Sequence, residues 1–220
     1  MVSKVRVWDL PTRVFHWSLV VCFVGLIVTG QVGGDAMVWH FRLGYTILSL
    51  LLFRLVWGFV GGYWSRFRVF VISPQRIVRY LRGSKLTPSV GHNPLGALSV
   101  LAVLCLLLLQ VATGLVSDDE IVNSGPLSKM VPGFWVGKAT YYHTAIGQYV
   151  LYALALLHIG AIVFYHFKRQ ENLVPAMWHG DKALAEPQPS ARDDWKTRLL
   201  ALVIFALGAG LVAGLVQWAG

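Results

Sequence analysis

The chain has 220 residues, 56% of them hydrophobic and only 13% charged, where an ordinary soluble domain carries roughly a quarter charged residues. That balance excludes a disordered chain and an ordinary soluble domain. A formal charge of +9 would suit nucleic acid, but the basic residues gather in alternate loops between apolar runs, so the charge encodes topology in a membrane rather than nucleic-acid binding.

The first apolar run, Val14 to Gly34, contains no Asp, Glu, Lys or Arg and reaches the about 20 helical residues that cross a hydrocarbon core. It runs on past any small-residue cleavage site and holds a histidine, so it reads as a retained helix rather than a signal peptide. The second lies between Leu43 and Trp64 and is interrupted only by Arg54, which at a helix end can snorkel to the headgroups. The third falls within Leu86 to Ser117, where Asn93-Pro94 reads as an N-cap followed by proline at the first helical position. The fourth is Ala139 to Phe167 and the fifth Leu199 to Gly220. Runs this long and continuous exclude spanning β-strands, which need about 10 residues of alternating polarity. The expected fold is an all-α integral membrane protein with five spans.

Lys4, Arg6 and Arg13 precede the first span; Arg66, Arg68, Arg76, Arg79, Arg82 and Lys85 fill the second loop; Lys168, Arg169, Lys182, Arg192, Lys196 and Arg198 fill the fourth. The first loop offers Arg42 alone, and the third only Lys129 and Lys138 beside Asp118-Asp119-Glu120. The positive-inside rule then places the N-terminus in the cytoplasm and the C-terminus outside. Trp8, Trp17, Trp39, Trp64, Trp135, Trp195 and Trp218 stand near span ends, as an aromatic belt would. Cys22 and Cys105 lie inside apolar spans and read as packing residues; no CxxCH and no zinc spacing occurs, which excludes covalent c-type haem. The fourth loop, with Pro175, Pro187 and Pro189, reads as an irregular linker.

Four of the seven histidines carry the argument. His16 follows Arg13 near the cytoplasmic face and His40 opens the second span near the outer face. His143 lies near the outer face on the fourth span, and His158, fifteen residues later, lies about 22 Å deeper; about 1500° of helical rotation returns it to within about 60° of the same face. His40 with His143 and His16 with His158 thus make two levels. Bis-histidine ligation of b-type haem fits, since neutral imidazoles from facing helices hold an iron without adding charge to the bilayer. Gly44 and Gly147 each follow a histidine by four residues on the same face, where a missing side chain lets a porphyrin approach. A lone histidine would as readily hydrogen-bond between helices or cap one. A proton relay would call for intramembrane Asp or Glu, and the apolar spans have none.

These residues resemble the bacterial membrane-bound di-haem cytochromes b, a family that includes the cytochrome b subunit of nickel-iron hydrogenases and, more distantly, the gamma subunit of formate dehydrogenase. The matching pieces are Trp8-Asp9-Leu10-Pro11-Thr12-Arg13-Val14-Phe15-His16-Trp17, Trp39-His40-Phe41-Arg42-Leu43-Gly44-Tyr45 continuing to Phe53-Arg54-Leu55-Val56-Trp57-Gly58, Gly91-His92-Asn93-Pro94-Leu95-Gly96, His143 and His158, and Met177-Trp178-His179-Gly180-Asp181-Lys182. The resemblance implies a four-helix haem-binding bundle over residues 1–182, with 183–220 as a linker and a fifth transmembrane helix. It implies two non-covalent haem b groups ligated by His16, His40, His143 and His158. The two histidines of the fourth helix are usually fourteen apart in this family and here are fifteen, an extra residue that a π-bulge would absorb.

The remaining polar residues are open to two readings each. Arg54, about 21 Å inward from His40, would pair with a haem propionate or snorkel. His92 would contact a propionate or a quinone, or serve as a cap or surface residue. His166 and His179 read as interfacial or loop residues more readily than as substrate contacts, and Trp57, Trp64, Tyr142 and Tyr165 as packing or lipid-facing residues more readily than as electron relays. The expectation is a cytochrome of the bacterial inner membrane, carrying electrons between an outer redox partner, a hydrogenase or a c-type cytochrome, and the quinone pool. A stand-alone small-donor:quinone oxidoreductase and a non-haem transporter are the alternatives. The third loop, Ser117 to Thr140, would be the partner's landing surface, its acidic run either a solvated loop or a steering patch.

Overall fold

Some of the long helices begin where a side chain satisfies a first amide. In a computed structural model, which describes residues 3–70, 75, 78, 82 and 90–219, Asp9 Oδ1 accepts the Thr12 amide at 2.8 Å and opens α1, Leu10–Val32. Asn93 Oδ1 accepts the Gly96 amide at 2.7 Å and opens α3, Pro94–Val116, as the Asn-Pro pair predicts. Between them runs α2, Met37–Val60; beyond them run α4, Gly133–Lys168, and α5, Trp195–Ala219. All five are long and apolar enough to cross a membrane, and large apolar side chains along them stay exposed, Val21 at 69%, Leu156 at 70% and Leu207 at 65%. Such surface is lipid-facing. Arg76, Arg79 and Lys85 of the basic second loop lie outside the described residues.

α2 and α4 begin at Met37 and Gly133, earlier than the charge pattern predicts, because each carries a cation on its opening turns. Arg42 lies over the Trp39 ring at 5.0 Å, and Lys138 over Phe134 at 5.0 Å.

Contacts divide the chain into two compact units. One comprises Met1–His16, Arg54–Ala102 and Leu157–Ile204. In it an antiparallel ribbon joins β1, Ser3–Arg6, to β2, Asp181–Leu184, with Arg6 opposite Asp181. The amides of Val7 and Trp8 donate to Gly180 O at 2.8 and 3.0 Å, and Gly180 itself has φ 92, a left-handed conformation that favours glycine. Arg6 pairs with both Asp181 and Asp193, and Asp193 also takes Arg198 at 3.0 Å. The fourth loop is therefore not irregular: a short helix, Val174–His179, a strand and this ion-pair cluster order it. Nor is Trp8 part of an aromatic belt, since it is buried in a core with Val5, Val7 and Ala176.

The other unit comprises Trp17–Phe53, Val103–Leu156 and Phe205–Gly220. Here α1 and α2 approach closely at Gly25, where a Cβ would stand 2.8 Å from Leu43. α5 packs on α2, with Phe205 edge-on to Phe53 at 6.4 Å and Gly208 against Leu52 and Ser49. In the third loop Asp119 Oδ1 accepts the amides of Ile121, Val122 and Asn123. These bonds, with that of the Asn123 side chain, hold its carboxyl below the usual range. The carboxylate of Asp119 therefore shapes its own loop.

Candidate functional site

Each unit contains one histidine pair. His16 of α1 and His158 of α4 have ring centroids 6.4 Å apart at 53°. His40 of α2 and His143 of α4 are 6.2 Å apart and nearly perpendicular at 81°. Two metal–imidazole bonds of about 2 Å, plus about 1 Å from each nitrogen to its ring centre, separate the centroids of a bis-imidazole iron by about 6 Å. Both pairs therefore fit axial ligation of haem. No cluster of three or more His, Cys, Asp or Glu able to hold a bare metal ion occurs among the described residues.

The donor atoms of the second pair are set by backbone carbonyls. His143 Nδ1 donates to Gln110 O at 2.8 Å and His40 Nδ1 to Leu26 O at 3.2 Å. A carbonyl only accepts, so the proton sits on Nδ1 and the lone pair on Nε2 is left for iron. Residues Tyr142–Gly147 form a π-helical turn within α4, the device that absorbs one extra residue between His143 and His158. Gln110 Nε2 donates to His143 O at 2.9 Å across this turn.

The two glycines differ. A Cβ on Gly44 would meet nothing within 4 Å, leaving open space for a flat ligand, whereas at Gly147 that space is filled by Gln110 Oε1 and the Tyr142 ring. Gly147 thus makes room for the amide of Gln110.

Arg54 does not snorkel. It is 3% exposed, donates Nη2 to Ser65 O at 3.1 Å and lies over the rings of Phe67 at 4.9 Å and Phe70 at 5.9 Å. Its Nη1 has no hydrogen-bond acceptor among the described residues. His92, just before α3, is held between Trp8 and Phe70, each 4.8 Å from its ring, with Nδ1 buried and likewise without a partner there. Burial, and then the charges of Arg54 and Lys182, push its pKa down to about 3, so it is a neutral imidazole. His166 and His179 are exposed, as expected of loop or interfacial residues.

Sequence reasoning passed over two residues. Asp9 is fully buried and accepts bonds from Thr12 N, Trp57 Nε1, Gly62 N and Ser65 Oγ; an Asp directly before Leu-Pro at a helix start was its signal. Gln110 was visible as the one amide deep inside the third apolar run.

A family model described as prokaryotic cytochrome b561 matches residues 7–180. The chain is 23% identical over 209 residues to the probable Ni/Fe-hydrogenase 1 B-type cytochrome subunit of Escherichia coli (strain K12), covering 79% of this chain and 88% of that protein. It is 24% identical over 222 residues to the probable Ni/Fe-hydrogenase B-type cytochrome subunit of Azotobacter chroococcum mcd 1, covering 85% and 92%. With the protein of that name from Bradyrhizobium diazoefficiens it shares 25% over 214 residues, covering 81% and 85%. No solved structure matches.

Proposed function

Because the chain belongs to the prokaryotic cytochrome b561 family, it is a multi-pass membrane protein that binds haem b, and we propose that it binds two such haems and conducts electrons between a hydrogenase and the quinone pool. The observation that carries this reading is the spacing of the two histidine pairs, 6.2 and 6.4 Å between centroids. Haem, when bound, supplies the one-electron redox chemistry. His40 and His143 would hold one group, with Gly44 leaving room for its ring; His16 and His158 would hold the other. Both are non-covalent, since the chain has no CxxCH.

Support for a hydrogenase partner comes from the printed names of the relatives. The basic loops support placement in the bacterial inner membrane with the N-terminus cytoplasmic and the C-terminus periplasmic. On that orientation His40 and His143 face the periplasmic donor, and Arg54 and His92 belong to the cytoplasmic side. There Arg54 Nη1 and His92 Nδ1 are the donors that an anionic propionate or a quinone oxygen would engage.

The test is a redox titration of four single variants. His40→Ala and His143→Ala should remove one haem component and spare the other, and His16→Ala and His158→Ala should do the reverse. If His16→Ala and His143→Ala delete the same component, the pairing is wrong.

A further inference from the structure

His40 and His143 lie on α2 and α4, yet the polar contacts to their rings come from the helix before each. Leu26-Ile27-Val28-Thr29-Gly30 on α1 and Gln110-Val111-Ala112-Thr113-Gly114 on α3 repeat one arrangement. The carbonyl of the first residue accepts the imidazole Nδ1–H, at 3.2 Å from Leu26 O and 2.8 Å from Gln110 O. The threonine three positions on donates to the carbonyl four residues back on its own helix, Thr29 Oγ1 to Gly25 O at 2.7 Å and Thr113 Oγ1 to Leu109 O at 2.9 Å. Its oxygen stands 3.4 Å from His40 Nδ1 in one case and 3.5 Å from His143 Nδ1 in the other. The glycine that follows lies against the ring: a Cβ would stand 3.2 Å from His40 Nδ1 and Cε1 at Gly30, and 2.7 Å from His143 Cε1 at Gly114.

Positions n, n+3 and n+4 share a helical face, so five residues make a complete support. A helical carbonyl has two lone pairs and spends one on its own ladder; the other takes the imidazole. We propose that Leu26–Gly30 and Gln110–Gly114 are matched imidazole seats, positioning segments that fix the tautomer, ring plane and Nε2 basicity of His40 and His143. The proposal rests on the reading of these two histidines as haem ligands. Because the seats stand on different helices, they hold the rings crossed at 81°, and crossed axial imidazoles give a ferric low-spin haem a strongly anisotropic EPR spectrum. The α3 seat is the tighter one, since Gln110 Nε2 also holds His143 O and Leu26 has no such group.

The test uses the full-length, haem-loaded protein in detergent, with His143→Ala marking which redox and EPR component belongs to this pair. Thr113→Val should keep the wild-type haem content and raise the midpoint potential of that component. Without the threonine oxygen 3.5 Å from Nδ1, the imidazole N–H loses a neighbouring acceptor, and a less basic imidazole favours ferrous iron. Gly114→Ala should move the low-field EPR feature of the same component or abolish it, and Gly30→Ala, with the wider gap, should move it less. A Thr113→Val protein with wild-type potential and spectrum, or a shift confined to the other component, would overturn the seats. Should His143→Ala keep the full haem complement, the ligand reading itself has failed.

Discussion

At the residue scale the decisive conflict is between burial and charge. A buried guanidinium costs several kcal/mol unless it is paired and hydrogen-bonded, and Arg54 has one carbonyl, two ring faces and the charge of buried Asp9 to offset that cost. Asp9 in turn satisfies four donors. Asp9→Ala should therefore destabilise the protein by about 3–5 kcal/mol, read as a lower Tm in detergent; a Tm equal to that of the parent protein would remove Asp9 from its structural role. For function, Arg54→Gln and His92→Ala should slow quinone-coupled haem oxidation in membranes by about tenfold or more, the loss of one charge-assisted hydrogen bond, with haem content intact. Unchanged rates would send the search for the quinone to His40 and His143. Arg54 and His92 were legible as candidates because each stands in or beside an apolar run. Their partners were not: nothing in the sequence says that Arg54 would be roofed by Phe67 and Phe70, or that Asp9 would receive a tryptophan from α2.

At the element scale the π-helical turn is the feature most directly tied to the site. Deleting Ala145 should convert Tyr142–Gly147 into ordinary α-helix while leaving both flanks in place, because a π-turn is one residue inserted without displacing its ends. Haem content measured on that variant should equal wild type, and loss of the component assigned to His143 would show that the turn itself is required. The spacing of fifteen residues announced this irregularity. The ribbon of β1 and β2 was not announced, because four-residue strands 175 residues apart leave no local pattern and their register depends on Arg6 finding Asp181 and Asp193. Burial pushes both carboxyls up, but for Asp181 the bonds and charges of Arg6 and Lys4 outweigh it, and for Asp193 those of Arg198, Leu10 N and Arg6 do, so both pKa values are lowered. A depressed carboxylate pKa contributes stability that is complete above the ordinary range, about 4, and is lost as pH falls through the folded value. Hydrogen exchange at Ser3–Arg6 should accordingly accelerate below about pH 4, and Asp193→Asn should show that faster exchange already at neutral pH. Exchange independent of pH after correction for the intrinsic rate would contradict the ion-pair account.

At the scale of the whole molecule, the five helices follow from composition alone, since the length and continuity of apolar runs admit no other spanning structure for them. Which histidines meet followed from depth and alternation of the spans, and the ring separations agree with that reading. Hidden from the sequence was how α1 and α3 support the His40–His143 pair, since the carbonyls of Leu26 and Gln110 that take the imidazoles carry no residue-type signal and Thr29, Gly30, Thr113 and Gly114 read as ordinary helix residues. α5 lies beyond the family match, yet it packs on α2 through Phe205 and Gly208. The central claim is that one chain carries two non-covalent haem b groups on four histidines. Its most direct measurement is haem released by acid-acetone extraction, quantified against protein. The account predicts two haems per chain with none left on the polypeptide; one haem per chain, or haem that stays attached, would contradict it.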